Sequence, residues 1–373
     1  MRPKVSIVKC PDYAPDAVGR SVRKSLELLG GVSRFIRPQS RVLVKPNILM
    51  AVSPESAVVT HPQVVRALVR VLKEQRCEVL VGDSPTVFGN QIENVEDVYR
   101  AAGVEEVCRQ EGAQLVKFDK RAWRGKFPLA SWLGECDYLV NVPKFKTHNL
   151  TVLTGAIKNL YGLVVGTYKT ELHKKYFSRE EFSAMLVDIY QEARPALTVV
   201  DAITAMEGDG PGSAGLPRQL GLVFAGGDCL AIDSVLAVVM GLAAQDIPTN
   251  KEAAGRGLGA ADIREIEVCG EKLTEVIPTG FKLPAASLKL KLIPKPLIAI
   301  AKELIRYYPL VERGKCIRCG ACIKACPEKI ISFRKKGISI DYGKCIACFC
   351  CQEACPQAAI AVKRSLAARM IGL

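Results

Sequence analysis

Cys316-Ile-Arg-Cys319-Gly-Ala-Cys322-Ile-Lys-Ala-Cys326-Pro327 and, further on, Cys345-Ile-Ala-Cys348-Phe-Cys350-Cys351-Gln-Glu-Ala-Cys355-Pro356 share one spacing, C-x2-C-x2-C-x3-C-P. Three thiolates so close in sequence can wrap three corners of one iron–sulfur cubane. A fourth, placed just before proline, points away and reaches a second cubane. Zinc also takes C-x2-C pairs, but it needs one tetrahedron of four ligands. Two interlocked sets with trailing prolines do not read as a zinc ribbon. The chain has fifteen cysteines in 373 residues, nine of them in this tail, which is metal-ligand usage suited to a reducing cytoplasm rather than a disulfide ladder.

From Gly314 to Ala361 the sequence resembles the bacterial-type two-cluster ferredoxins. The resemblance implies two [4Fe–4S] clusters. Cys316, Cys319, Cys322 and Cys355 hold one by that pattern; Cys345, Cys348, Cys351 and Cys326 hold the other. Cys350 is surplus to it. An alternative ligand and a redox-active thiol are open readings, and a small buried residue is the one adopted. Cys10, Cys77, Cys108, Cys136, Cys229 and Cys269 read as core.

Upstream, Pro278–Arg313 is rich in proline and lysine and carries one helix-like run, with Leu297, Ile300, Ala301, Leu304 and Tyr308 at helical spacing. Lys289, Lys291, Lys295, Lys302 and Arg306 flank it, so a membrane-surface anchor is one reading. A helix packing the tail onto the main body is the preferred one. Three units follow: an α/β domain over 1–277, a linker over 278–313, and a ferredoxin-like α+β domain over 314–362.

Through the first 270 residues, short apolar runs alternate with helical patterns. Lys4–Lys9, Arg41–Val44, Glu78–Val81, Gln114–Phe118, Tyr138–Val142, Thr198–Val200 and Leu220–Phe224 read as strands. Helices are expected after Lys9, over Pro62–Gln75, over Val95–Gln110 with a break near Gly103, over Phe182–Glu192 and over Cys229–Met240. That alternation predicts an α/β fold with a mostly parallel sheet covered by helices. Aromatics make up only 6% of the chain, which suits this class better than a sandwich. Cys229–Ala244, the longest apolar stretch, contains Asp233 and is too short to span a bilayer. The N-terminus reads as an opening strand, not a signal peptide.

Ligands of open α/β sheets bind beyond the carboxyl ends of the strands, and here those ends are polar. Lys45-Pro46-Asn47 follows one strand and Gly82-Asp83-Ser84 another. Lys144-Phe-Lys146-Thr-His148 follows a third, and Asp201 with Glu207-Gly-Asp209 a fourth. Lys144, Lys146 and His148 alternate and would share one face in extended backbone. Thr154-Gly155-Ala156-Ile157-Lys158-Asn159 reads as a capped helix start, an anion site when lysines stand near it. Lys144, Lys146, His148 and Asp201 are the catalytic candidates, with His148 for proton transfer. Lys45, Asn47, His61, Asp83, Ser84, Lys158, Asn159, Glu207 and Asp209 are the substrate-binding candidates. His173 reads as a surface residue. The Gly208–Gly215 run lacks the strand-to-helix context of a dinucleotide fingerprint, and there is no P-loop.

Taken in order, Lys45-Pro-Asn47, Thr60-His-Pro62, Gly82-Asp-Ser84, Pro143 to His148, Thr154 to Asn159 and Gly226-Gly-Asp228 through Asp233 resemble the domain of unknown function 362, over roughly Val5 to Val268. The resemblance implies a prokaryotic, often anaerobic, cytosolic setting and supplies neither substrate nor mechanism. The formal charge is +14, nearer about +10 once two all-thiolate clusters are counted. That favours a small anionic substrate. No Arg-rich tract with interleaved aromatics points to nucleic acid. The function expected is an iron–sulfur oxidoreductase passing electrons from two [4Fe–4S] clusters to a small anionic substrate or cofactor bound in the α/β domain, with an electron-donor or acceptor protein as partner. The alternative is a ferredoxin-like carrier whose large domain docks a partner enzyme. Flavin, additional metal and homo-oligomeric state are not specified by these residues.

Overall fold

The computed structural model describes residues 2–85, 95–285, 307–335 and 337–365. In chain order the strands of the main body are β1 (Lys4–Lys9), β2 (Arg41–Pro46), β3 (Glu78–Val81), β4 (Gln114–Leu115), β5 (Arg121–Arg124), β6 (Phe127–Ala130), β7 (Tyr138–Val142), β8 (Lys144–His148), β9 (Val152–Thr154), β10 (Leu197–Gly208), β11 (Gly215–Gly226) and β12 (Glu267–Gly270). Ten of them make one sheet in the order β12-β1-β11-β10-β7-β2-β3-β4, with β8 against β10 and β9 against β8. The β2–β3, β2–β7, β3–β4 and β7–β10 pairs are parallel, while β11 runs antiparallel to both β1 and β10. The sheet is therefore mixed and mostly parallel.

The apolar run of β2 shows why this sheet is covered twice. Val42 and Val44 face one way, into a core with Val18, Val22, Leu68 and Leu72. Leu43, between them, faces the other, into a core with Phe182, Leu186 and Ile189. Successive side chains of a strand point to opposite faces, so a continuous Val-Leu-Val needs apolar cover on both. Helices α1 (Pro15–Leu28) and α2 (Pro62–Glu74) supply the first cover, and Arg179–Ala193 the second. In α2 the apolar stripe Val64, Val65, Leu68, Val71 and Leu72 is fully or almost fully buried. Each such side chain stabilises the fold by about 1.5–3 kcal/mol. Pro62 takes the first helical turn, where its missing N–H costs nothing, and His61 Nδ1 caps it by accepting from Gln63 N at 3.3 Å.

Some elements differ from the sequence reading. The fourth strand stops at Leu115 rather than Phe118. The β10–β11 hairpin is far longer than its apolar cores, with arms of 12 residues each. Interstrand pairing carries it into polar sequence that hydropathy alone does not mark. In the tail, β13 (Tyr307–Val311) pairs antiparallel with β16 (Ile360–Arg364), and β14 (Ile331–Arg334) with β15 (Gly337–Ile340). Tyr308, taken from the sequence as a helical residue, thus lies in a strand; the rest of that run falls outside the described residues. No helix among the described residues is long and apolar enough to cross a membrane.

Candidate functional site

A cavity of about 50 Å3 sits beyond the carboxyl ends of β2 and β3. Asn47 reaches it from the end of β2, Asp83 and Ser84 from the end of β3, Lys146 and His148 from β8, and Thr154 from β9. Lys158 and Asn159 come from the single turn Ala156–Asn159, Tyr161 from the turn after it, and Lys169 and His173 from the helix Tyr168–Lys175. Glu353 closes it from the cysteine-rich tail. The sheet therefore gathers Asn47, Asp83, Ser84, Lys146, His148, Lys158 and Asn159 as the sequence suggests.

The floor is a saturated network. Asp83 Oδ1 pairs with Lys45 Nζ at 2.7 Å and accepts from Ser84 N, while its Oδ2 accepts from Ile48 N at 2.7 Å. Lys45 also donates to Pro46 O and to Asn159 Oδ1, and Asn159 Nδ2 donates to Asn141 Oδ1 at 2.8 Å. Lys45 is fully buried and lies under the cavity rather than on its wall. Breaking such a buried pair strands a charge and costs about 3–5 kcal/mol, so these residues set the position of the floor.

The walls are different. Among the described residues, five buried polar atoms that line the cavity have no hydrogen-bond partner: Asn47 Oδ1, His148 Nε2, Thr154 Oγ1, His173 Nδ1 and Glu353 Oε1. Buried polar atoms are otherwise nearly always paired. His148 Nδ1 accepts from Leu150 N at 3.0 Å and Thr151 N at 3.3 Å. That fixes the tautomer, with the proton on Nε2. Nε2 lies 3.2 Å from Glu353 Oε1, so the imidazole faces the carboxylate as donor to acceptor at the edge of hydrogen-bond geometry.

Electrostatics follow from burial. Desolvation, then Lys158, push Lys146 down to about 7, and desolvation brings Lys169 to about 7. Burial and Lys158 hold His148 near 4, and burial takes His173 to about 3. Burial alone would raise Glu353, but His148, Lys158 and His173 outweigh it and hold the carboxyl at about 2. At neutral pH, His148 is a neutral donor and Glu353 an anion. Burial lowers Lys158 as well; its Nζ stands 5.2 Å from the Tyr161 ring centroid and 5.6 Å from that of Phe182, faces that favour its charged form.

Several candidates go elsewhere. Lys144, Asp201 and His61 do not line the cavity. Lys144 Nζ pairs with Asp201 Oδ2 at 2.9 Å, and Asp201 also accepts from Tyr13 OH, His61 N and Ile203 N. Tyr13 and His61 stack at 3.6 Å. This closed network leaves Asp201 and Lys144 fully buried and satisfied, a lock between strands and helix start. Glu207 accepts from Lys282 N and Asp209 Oδ1 from Ala285 N, so both pin the segment after β12. The turn Ala156–Asn159 is not a free anion site either. Asp233 already accepts from Ala156 N at 2.6 Å and Ile157 N at 3.0 Å.

Residues that the sequence reading did not place at the site complete the wall. His173 is buried against Phe182 and Tyr161, not on the surface. Lys169 donates to Ser84 O, and Tyr161 OH donates to Lys169 O at 2.7 Å. Glu353 arrives because the tail docks on the Gly208–Gly215 loop. Gln352 Nε2 donates to Asp209 O at 3.0 Å, and Asn149 Nδ2 to Gln352 Oε1 at 2.8 Å. A Cβ on Gly212 would lie 2.8 Å from Glu353 O, which explains glycine there.

In the tail, Cys316, Cys319, Cys322 and Cys355 line one small cavity. Cys326, Cys345, Cys348 and Cys351 line a second. Among the described residues, no three His, Cys, Asp or Glu side chains gather closely enough for a single metal ion. Thiols facing a shared space, not a point, fit a cubane rather than zinc. Cys350 is fully buried and lines neither cavity. Cys136 and Cys269 are half-buried rather than core.

A mixed α/β sheet with a polar cavity at its strand ends, joined to cysteine-lined cavities of this spacing, defines an iron–sulfur protein of electron transfer that binds 4Fe–4S clusters. The chain belongs to the family described as domain of unknown function (DUF362), which it matches over residues 42–238. Residues 308–356 match a 4Fe-4S dicluster domain. The thylakoid-associated protein sll1697 of Synechocystis sp. is 32% identical over 294 residues, covering 75% of this chain and 91% of that protein.

Proposed function

We propose that the protein is an oxidoreductase in which two [4Fe–4S] clusters exchange electrons with a small anion held in the cavity. The observation that carries this is Glu353. It stands in the turn between cluster ligands Cys351 and Cys355 and is itself part of the cavity wall. The electron-carrying tail and the lysine-rich site thus share one residue. Cys316, Cys319, Cys322 and Cys355 would hold one cluster; Cys326, Cys345, Cys348 and Cys351 the other. The clusters supply one-electron chemistry. Lys146 and Lys158 attract and neutralise an anion in a low-dielectric space where charge counts for more than in water. His148 offers its Nε2–H as a neutral hydrogen-bond donor at the cavity wall.

The carrier reading is less well supported, since a docking face needs no cavity lined by buried polar groups. The test is anaerobic. The reduced chain is mixed with a panel of small anions, and the visible absorbance of its clusters is followed. Native protein should be reoxidised by at least one anion. H148A, which removes the donor, should slow that step about 100-fold and leave reoxidation by ferricyanide unchanged. Equal rates in native and variant protein would rule the reading out.

A further inference from the structure

We infer that an acidic one-electron carrier protein docks over the first cysteine motif, on an exposed basic face around Ile317, Arg318 and Phe333. The inference rests on the cluster ligands and needs no occupant in the strand-end cavity.

The two cysteine-lined cavities differ in what covers them. Ile317, Arg318 and Cys319 line the first and are exposed. Of the described residues that line the second, none is exposed. A cluster held in the first therefore lies one side chain from solvent, and one held in the second lies behind cover. Electron transfer weakens steeply with distance, so a carrier gains its closest approach at the first motif. The second motif faces the other way: its helical turn Cys350–Glu353 ends in the wall of the strand-end cavity.

The exposed face combines apolar contact with charge of one sign. Ile317 is 62% exposed and Phe333 49%. The Arg318 guanidinium carbon lies 5.7 Å from the Phe333 ring centroid, so cation and aromatic form one surface. From Arg313 to Lys335 the chain has seven Lys or Arg and one acid, Glu328. All seven cations are exposed, whereas Glu328 is half-buried and 3.5 Å from Lys174 of the main body. Just ahead of the stretch, Glu312 pairs with Lys315 at 2.7 Å and leaves the excess of cations standing. Single exposed apolar side chains are ordinary. Two of them beside a cluster ligand, in a field of one sign, suit the small interfaces of redox carriers, less than about 1,200 Å2. That field selects an acidic partner and speeds its approach. In the exchange the reduced carrier gives up one electron and the cluster of the first motif takes it. No bond is made or broken and no proton moves.

The probes are plant-type [2Fe–2S] ferredoxin, an acidic carrier, and cytochrome c, a basic one. Each is titrated calorimetrically into the anaerobically purified full chain. Ferredoxin should bind at low salt and lose at least about tenfold in affinity at about 0.5 M salt, while cytochrome c should not bind. R313E/R334E, at positions outside the ligand run, should weaken ferredoxin at least about tenfold at low salt and flatten the salt dependence, with iron content as in native protein. K24E/K73E makes the same change in net charge on α1 and α2 and should stay within about twofold of native. F333S should weaken binding and leave the salt dependence in place. In stopped flow, the rate at which reduced ferredoxin bleaches the cluster absorbance should fall with the same variants. Equal weakening by K24E/K73E, no effect of R313E/R334E, tighter binding of cytochrome c, or no binding of ferredoxin would each overturn the inference. A chain that sediments as a dimer, and as a monomer in F333S, would give the face to a second copy and overturn it too. None of these results touches the anion reading, since they report only on the surface of the tail.

Discussion

Lys144→Met separates a structural lysine from a catalytic one. Lys144 Nζ and Asp201 Oδ2 stand 2.9 Å apart, both fully buried. At an effective dielectric near 20 the gross attraction is about 6 kcal/mol, against which each charge has lost its water. Methionine keeps the packing and removes the cation. Asp201 then stays buried with three donors, Tyr13 OH at 2.9 Å, His61 N at 2.8 Å and Ile203 N at 3.3 Å. Those donors place the loss at the low end of the range for a broken buried pair, about 3 kcal/mol. For a chain of this size that lowers Tm by about 4–5 °C. The assay is anaerobic thermal unfolding followed by circular dichroism, paired with anion-dependent reoxidation at a temperature where the variant is folded. A lower Tm with an unchanged reoxidation rate is expected. A native Tm with lost reoxidation would show that Lys144 acts on the ligand and that the closed network is misread.

Lys146 sets a pH dependence of unusual sign. It holds its proton to 10.5 when free and only to about 7 in the fold, so between those values the unfolded chain binds more protons and stability rises with pH. Urea midpoints should climb from about pH 7.5 to about pH 9 in native protein, by up to about 1.4 kcal/mol per pH unit from this group, and climb less in K146M. Gly155→Ala puts a methyl into the Asp233 carboxylate that caps Ala156 and Ile157. It should cost about 1–3 kcal/mol in denaturant unfolding, and D233N less. Cys326 and Cys355 each line the cavity of the other motif. C326S should therefore perturb the electron paramagnetic resonance signal of the Cys345 cluster and C355S that of the Cys316 cluster, each losing about half the iron.

The sheet was legible because buried parallel strands such as Val42-Leu-Val44 are short apolar runs between amphipathic helices. Half of the cavity was legible too, because Asn47, Asp83, Lys146, His148 and Lys158 follow strand ends directly. Lys144 was misplaced by the ideal pleat. Its pairing with Asp201 and that of Lys146 with Met206 are separated by a register shift along β10, so alternate residues of β8 meet different surroundings. His173 and Lys169 stand in the polar run Lys169-Thr-Glu-Leu-His173-Lys-Lys175, which reads as solvated. Only the approach of Phe182 and Tyr161 buries them. Glu353 carries no local signal at all. It sits among cysteines, and its partners lie far back along the chain.

The joint between the tail and the main body rests on two neighbours, Gln352 and Glu353. One is stitched to Asn149 and to the Asp209 carbonyl, and the other finishes the cavity wall. A chimera carrying the cysteine-rich segment of another two-cluster protein could keep every thiol in register and still leave an open, over-positive pocket. Interchangeability of the halves would be decided by that dipeptide, and by a glycine at 212 to receive it, sooner than by the iron ligands.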